Sequence, residues 1–96
     1  MNNVDRLCAW YDKQCRDDWH EELGVEIGTI DNPGWSLRVD LARTALFDRH
    51  LDAVRIEVSE HDWIHALTRN GRFEAFGGPA KLDEMIGMFL AWAEEP

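Results

Sequence analysis

The dipeptide Asn70-Gly71 constrains this chain more than any other feature of its sequence. It separates two runs of alternating apolar and polar residues. A two-residue hairpin loop of type I′ needs φ > 0 at both central positions, which Asn and Gly tolerate best. Such a loop also sets the register, pairing Arg69 with Arg72, Thr68 with Phe73 and Ala66 with Ala75. A slip of one residue would turn every side chain to the other side of the sheet. One side of this hairpin carries Ile64, Ala66, Thr68, Phe73 and Ala75. The other carries Trp63, His65, Leu67, Glu74 and Phe76, so it is not a plain polar face.

The remaining elements follow from the period of the apolar residues. Val4, Leu7, Cys8, Tyr11 and Cys15 recur at helical spacing, with Asn2 or Asn3 as cap, and predict a helix ending near Arg16–Trp19. From Leu23 the period becomes two. Leu23, Val25, Ile27 and Thr29 predict a strand, and Leu37, Val39 and Leu41 its returning partner. Asp31-Asn32-Pro33-Gly34 between them reads as a type II turn, with Pro33 presetting φ and Gly34 accepting φ > 0. Val54, Ile56 and Val58 predict a third strand, Trp63–Arg69 a fourth and Arg72–Gly77 a fifth. Residues 42–53 fit either a short helical turn or a loop anchored by Leu46, Phe47 and Leu51. Pro79 suits the first turn of a closing helix, whose stripe is Leu82, Met85, Ile86, Phe89 and Ala93, widened by Met88, Leu90 and Trp92. The expected fold is α+β: helix, five-stranded antiparallel meander, helix, with both helices on one sheet face.

Ninety-six residues fit one domain, taken as 1–96. Ten Lys and Arg against nineteen Asp and Glu give 10 − 19 = −9. That excess repels phosphate backbones and anionic bilayers, so neither nucleic acid nor a membrane is an expected partner. No apolar run is long enough to span a bilayer, and Met-Asn-Asn-Val-Asp-Arg carries no basic region followed by an apolar stretch. The two cysteines, Cys8 and Cys15, lie about 10.5 Å apart along a helix axis, too far to bridge, and read as small buried hydrophobes. A cytoplasmic location is the expectation.

Chemistry is sparse. His61 and His65 have a helical ligand spacing but fall at the start of a strand, where about 13 Å separates them. No paired Cys-x-x-Cys, calcium loop, nucleophile elbow or phosphate cradle occurs, and Gly77-Gly78-Pro79 lacks the Lys and Ser/Thr of a phosphate loop. Neither metal, cofactor nor catalytic residues are expected.

Surface recognition is better supported. Asp17, Asp18, Trp19, Glu21 and Glu22 set an aromatic among acids. Glu60, Asp62 and Trp63 do so again, and Trp35 follows the Asp31–Gly34 turn. Tryptophan offers large contact area at low entropic cost, and adjacent carboxylates steer a basic partner. Trp10 and Trp92 are assigned to packing. Trp19, Trp35 and Trp63 are divided between core and surface, and these nine acidic and aromatic residues form the expected contact set. Two other readings are a ligand pocket or small enzyme site near Trp63, His65 and Phe76, and a self-association stripe of Met88 and Trp92. A monomer or weak homo-oligomer is expected.

One family resemblance adds to this. Trp10-Tyr11-x3-Cys15-x2-Asp18-Trp19, Gly24-Val25-x-Ile27-x-Thr29-x-Asp31-Asn32-Pro33-Gly34-Trp35 and Leu37-x-Val39-Asp40-Leu41 resemble the immunity protein 53 family. So do Asp62-Trp63-Ile64, Asn70-Gly71-x-Phe73-Glu74-x-Phe76-Gly77-Gly78-Pro79 and Phe89-Leu90-x-Trp92-Ala93. The resemblance covers most of the chain apart from residues 42–53. It implies a protein of bacterial polymorphic toxin systems that binds and neutralises a cognate toxin domain without doing chemistry itself. Together with the charge, it leads to the expectation of a basic toxin, and of acids on phosphate positions where that toxin is a nuclease.

Overall fold

A computed structural model describes residues 2–17, 24–42 and 44–95. The elements in chain order are α1 (Asn3–Asp17), β1 (Val25–Ile30), β2 (Gly34–Asp40), β3 (Val54–Glu57), β4 (Trp63–Arg69), β5 (Arg72–Gly77) and α2 (Leu82–Ala93). The five strands form one antiparallel sheet. The α+β class and the helix-strands-helix order hold as expected. The strand order does not: it runs β1-β2-β5-β4-β3, which is not a meander. The segment after β2 carries the chain to the far edge, β3 and β4 return, and β5 enters between β4 and β2.

The hairpin at Asn70-Gly71 forms as its sequence demands, with φ of 55° and 75°. Its register pairs Arg69 with Arg72, Thr68 with Phe73 and Ala66 with Ala75. Inward residues of β2, β4 and β5 (Leu37, Val39, Ile64, Ala66, Phe73 and Ala75) are buried against Met85, Ile86, Phe89 and Leu90 of α2. Phe89 is the hub. Its ring centroid lies 5.0 Å from both Phe73 and Trp10, each edge-on. Trp10 and Trp92 pack as expected, and the burial of Trp92 removes it as half of a self-association stripe.

Both helices lie on one side of the sheet, α2 against β2 and β5 and α1 along α2. The inward face of α1 is rotated from the stripe its apolar residues suggest. Asn3, Arg6, Leu7, Trp10 and Gln14 are the shielded positions, whereas Val4, Cys8 and Tyr11 are exposed. Asn3 and Arg6 take inward sites beside Leu7 and Trp10 because α2 and its C-cap residue offer them partners. The Asn3 amide donates to the Asp83 carbonyl at 3.1 Å, and Arg6 pairs with Glu94 at 3.1 Å. Cys8 is therefore an exposed free thiol rather than a buried hydrophobe. At the sheet edges Ile27 and Ile56 point to the helical side yet stay exposed, since α2 covers only the central strands.

Two further expectations change. Gly34 is not the left-handed residue of a type II turn, since it opens β2 opposite Ile30 and has no positive φ. Its lack of a side chain serves close packing: a Cβ there would collide with the Gly77 carbonyl oxygen. Gly78 likewise abuts the His61 carbonyl. Next, α2 starts at Leu82 rather than at Pro79, with Lys81 as N-cap. The Lys81 ammonium contacts Asp62 at 2.8 Å and Glu84 at 3.2 Å, and these hydrogen bonds, Asp62 first, raise its pKa above the ordinary lysine value. Residues 44–48, which the sequence left open between a short helical turn and an anchored loop, form consecutive turns. Leu46 is buried within them, Phe47 is exposed, and Arg49 donates to the Trp92 and Glu95 carbonyls.

The Gly34 contact is testable. Gly34→Ala must displace backbone rather than a flexible side chain, and should cost about 1–3 kcal/mol in urea unfolding. Gly24→Ala, with nothing within 4 Å of the added Cβ, should stay within about 0.5 kcal/mol.

Candidate partner-binding face

Strand alternation gives the sheet a second side, and among the described residues no helix covers it. Cross-strand register puts Trp63, His65, Leu67 and Arg69 of β4 beside Arg72, Glu74 and Phe76 of β5. Ser36, Arg38 and Asp40 of β2, Glu26, Gly28 and Ile30 of β1, and Arg55 and Glu57 of β3 complete it. The mixed character expected of the Trp63–Phe76 side is thus carried across the whole sheet.

Glu74 occupies the middle of this face on the central strand and is only 6% exposed. A carboxylate so placed must be paired. Arg69 Nη2 donates to Glu74 Oε1 at 2.6 Å, and Arg38 Nε lies 3.5 Å from Oε2. The Arg38 guanidinium also stands 5.4 Å from the centre of the Phe76 ring, close enough for a cation–π contact. Register explains the set. Arg38 is directly opposite Glu74 on β2, while Arg69 reaches it diagonally from β4.

Toward the β3–β4 turn the face changes character. Trp63 and His65 stand two apart on β4, with ring centroids 5.0 Å apart. His65 Nε2 lies 2.8 Å from Glu57 Oε1. Together with Ile30, Asn32, Ser59, Glu60 and Phe76 these residues line an open groove of about 470 Å³. The groove holds two carboxylates and neither Lys nor Arg. It is the place anticipated near Trp63, His65 and Phe76, but it opens broadly to solvent and encloses nothing. Among the described residues no group of three or more His, Cys, Asp or Glu is placed to hold a metal ion, and no helix is long and apolar enough to cross a membrane.

The expected contact residues separate. Glu60 and Trp63 meet in the groove, and Asp62 sits beside them with its carboxylate on Lys81. Trp35 is on the opposite, helical side, half-buried against the core, and its indole N–H donates to the Pro79 carbonyl at 2.9 Å. Asp17 is the last residue of α1, and Asp18, Trp19, Glu21 and Glu22 lie outside the described residues. Sequence reasoning missed Arg38 and Arg69 as partners of Glu74 and Glu57 as partner of His65. Parity along β4 and β5 already placed Arg69 on the Glu74 side; Arg38 needed the β2–β5 pairing.

Because the arginines of the Glu74 cluster are 38% and 58% exposed, water can recover part of what they lose. Glu74→Gln should therefore cost about 1–2 kcal/mol by chemical denaturation. Arg72→Gln, on the same face and exposed, should change stability by less than about 0.5 kcal/mol.

Comparison with known proteins gives one match. The sequence profile of the family described as immunity protein 53 fits residues 4–94, nearly the whole chain. No curated protein and no solved structure matches.

Proposed function

The chain belongs to the immunity protein 53 family, and from that premise we propose that it neutralises one cognate toxin domain of a bacterial polymorphic toxin system by stoichiometric binding. The family match over residues 4–94 carries this reading. The groove end of the uncovered sheet face supports it, because Trp63, Phe76 and Ile30 bordered by Asn32, Glu57 and Glu60 have the aromatic centre and polar rim of a protein-binding patch. Immunity is a binding role and needs no catalytic group.

The contact surface we propose has two acidic, aromatic parts: Glu60, Asp62 and Trp63 at the groove, and Asp17, the last residue of α1, with Asp18, Trp19, Glu21 and Glu22 that follow it in the chain. Trp35 is left out because its indole is committed to Pro79. A net charge of −9 favours encounter with a basic toxin. Where that toxin cleaves nucleic acid, its substrate channel is positive, and carboxylates take the positions of phosphates. Action in the cytoplasm of the producing cell completes the proposal. The breadth of the groove favours a protein partner over a small-molecule substrate.

The experiment is co-expression with the toxin domain encoded beside this chain, reading cell survival and isolating the complex. Survival with a one-to-one complex is expected; death without a complex overturns the proposal for that pair. Reversing the charge of Asp17 and Asp18 together should slow association and flatten its salt dependence, with dissociation little changed.

A further inference from the structure

The groove at the β3–β4 end of the open face has a composition that selects its occupant. Its floor and walls are aromatic and apolar (Trp63, Phe76, Ile30), and its charged groups are the carboxylates Glu57 and Glu60. Glu57 is engaged by His65 at 2.8 Å. The Glu60 side chain is exposed and makes no hydrogen bond or ion pair among the described residues. Trp63 presents a half-buried indole whose N–H likewise has no partner among the described residues. Arg55, paired with His65 across β3 and β4, flanks the groove without lining it.

The same face already shows how such a setting is used. Next to the groove, Arg38 lies over the Phe76 ring while reaching the carboxylate of Glu74. Aromatic face, guanidinium and carboxylate form one unit there, all supplied by this chain. The groove repeats the aromatic and the carboxylate and lacks the cation.

We propose that the groove is a socket for a single arginine side chain of the toxin, with its guanidinium against Trp63 and its N–H donors directed to Glu60. Arginine fits better than lysine. A planar guanidinium is weakly hydrated, stacks on an indole and donates in a fork matched to a carboxylate, whereas an ammonium is a compact and strongly hydrated charge. This assignment rests on the toxin-binding reading and adds to it the chemistry of one contact.

The test uses the intact chain and the neighbouring toxin domain. Glu60→Lys and, separately, Trp63→Leu should each weaken the complex about tenfold or more, chiefly through faster dissociation. The charge-matched Glu26→Lys, at the far end of the same face, should change affinity less than about twofold. A wild-type complex whose affinity is indifferent to Glu60→Lys and Trp63→Leu overturns the socket and leaves the immunity role standing. An equal loss in Glu26→Lys also overturns it, since the effect is then general electrostatics. Far-ultraviolet circular dichroism and urea unfolding identify any Trp63→Leu sample that has not folded, and Glu60→Lys, an exposed turn substitution, then decides alone. If the wild type forms no complex, the toxin reading fails. The socket is then judged by titrating N-acetyl-arginine amide, with the norleucine amide as control, while following the indole N–H resonances. A Trp63 shift specific to the arginine compound sustains the socket, and no shift refutes it.

Discussion

Pairing of β5 with β2 is the contact on which the rest of the molecule depends. Strands β1 and β2 form one hairpin, and β3, β4 and β5 follow one another through two more. Only the β2–β5 ladder, from Trp35–Gly77 to Asp40–Arg72, joins these halves into one sheet. It also builds both sides of that sheet. Phe73 and Ala75 enter the core under Phe89, while Glu74 and Phe76, one residue out of phase, form the centre of the open face. At its end the two backbones approach so closely that Gly34 has no room for a Cβ beside Gly77. Core and candidate site are therefore two faces of one strand, and displacement of β5 cannot spare either.

How far the sequence reveals this depends on the distance over which each signal acts. Local signals are read well. The Asn70-Gly71 turn sets the register of β4 and β5 residue by residue, and the apolar stripe of α2 names the side chains that become buried. Signals that need a partner are read poorly. Strand alternation says that β2 has two faces, but not that β5 rather than β3 will lie beside it, so the order of a meander is indistinguishable from the order found. The face of α1 fails for the same reason. Val4, Cys8 and Tyr11 are apolar yet exposed, whereas Asn3 and Arg6 turn inward beside Leu7 and Trp10, toward the Asp83 carbonyl of α2 and the Glu94 carboxylate just after it.

Glycine illustrates the distinction sharply. Gly71 is needed for its dihedral angle, a local property that a turn type predicts. Gly34 looks locally like the same kind of residue, following Pro33 in a turn, but it is needed for the approach of a strand far along the chain. The candidate site divides likewise. Parity along the β4–β5 hairpin groups Trp63, His65, Leu67, Glu74 and Phe76 from sequence alone, whereas Arg38, which completes the Glu74 cluster, comes from β2. Trp35 shares the aromatic character of Trp63 and no more, because the register places it on the helical side.

Charge follows a similar division. On the open face of the strands Arg38, Arg55, Arg69 and Arg72 balance Glu26, Asp40, Glu57 and Glu74, four against four, so this face has no net charge. The excess of −9 therefore resides in the helices, turns and connecting segments. Long-range attraction acts through net charge and governs the rate of encounter, whereas the lifetime of a complex depends on close, desolvated contacts. In the proposed complex the two tasks fall to different parts of the molecule. The acidic periphery draws a basic toxin in, and a neutral but patterned sheet face decides how long it stays. At the groove, Glu57 and Glu60 meet Trp63, so that unneutralised acidic charge and aromatic surface coincide. In the proposed complex a contact there acts chiefly on lifetime, because a partner cation held between indole and carboxylate is desolvated at close range.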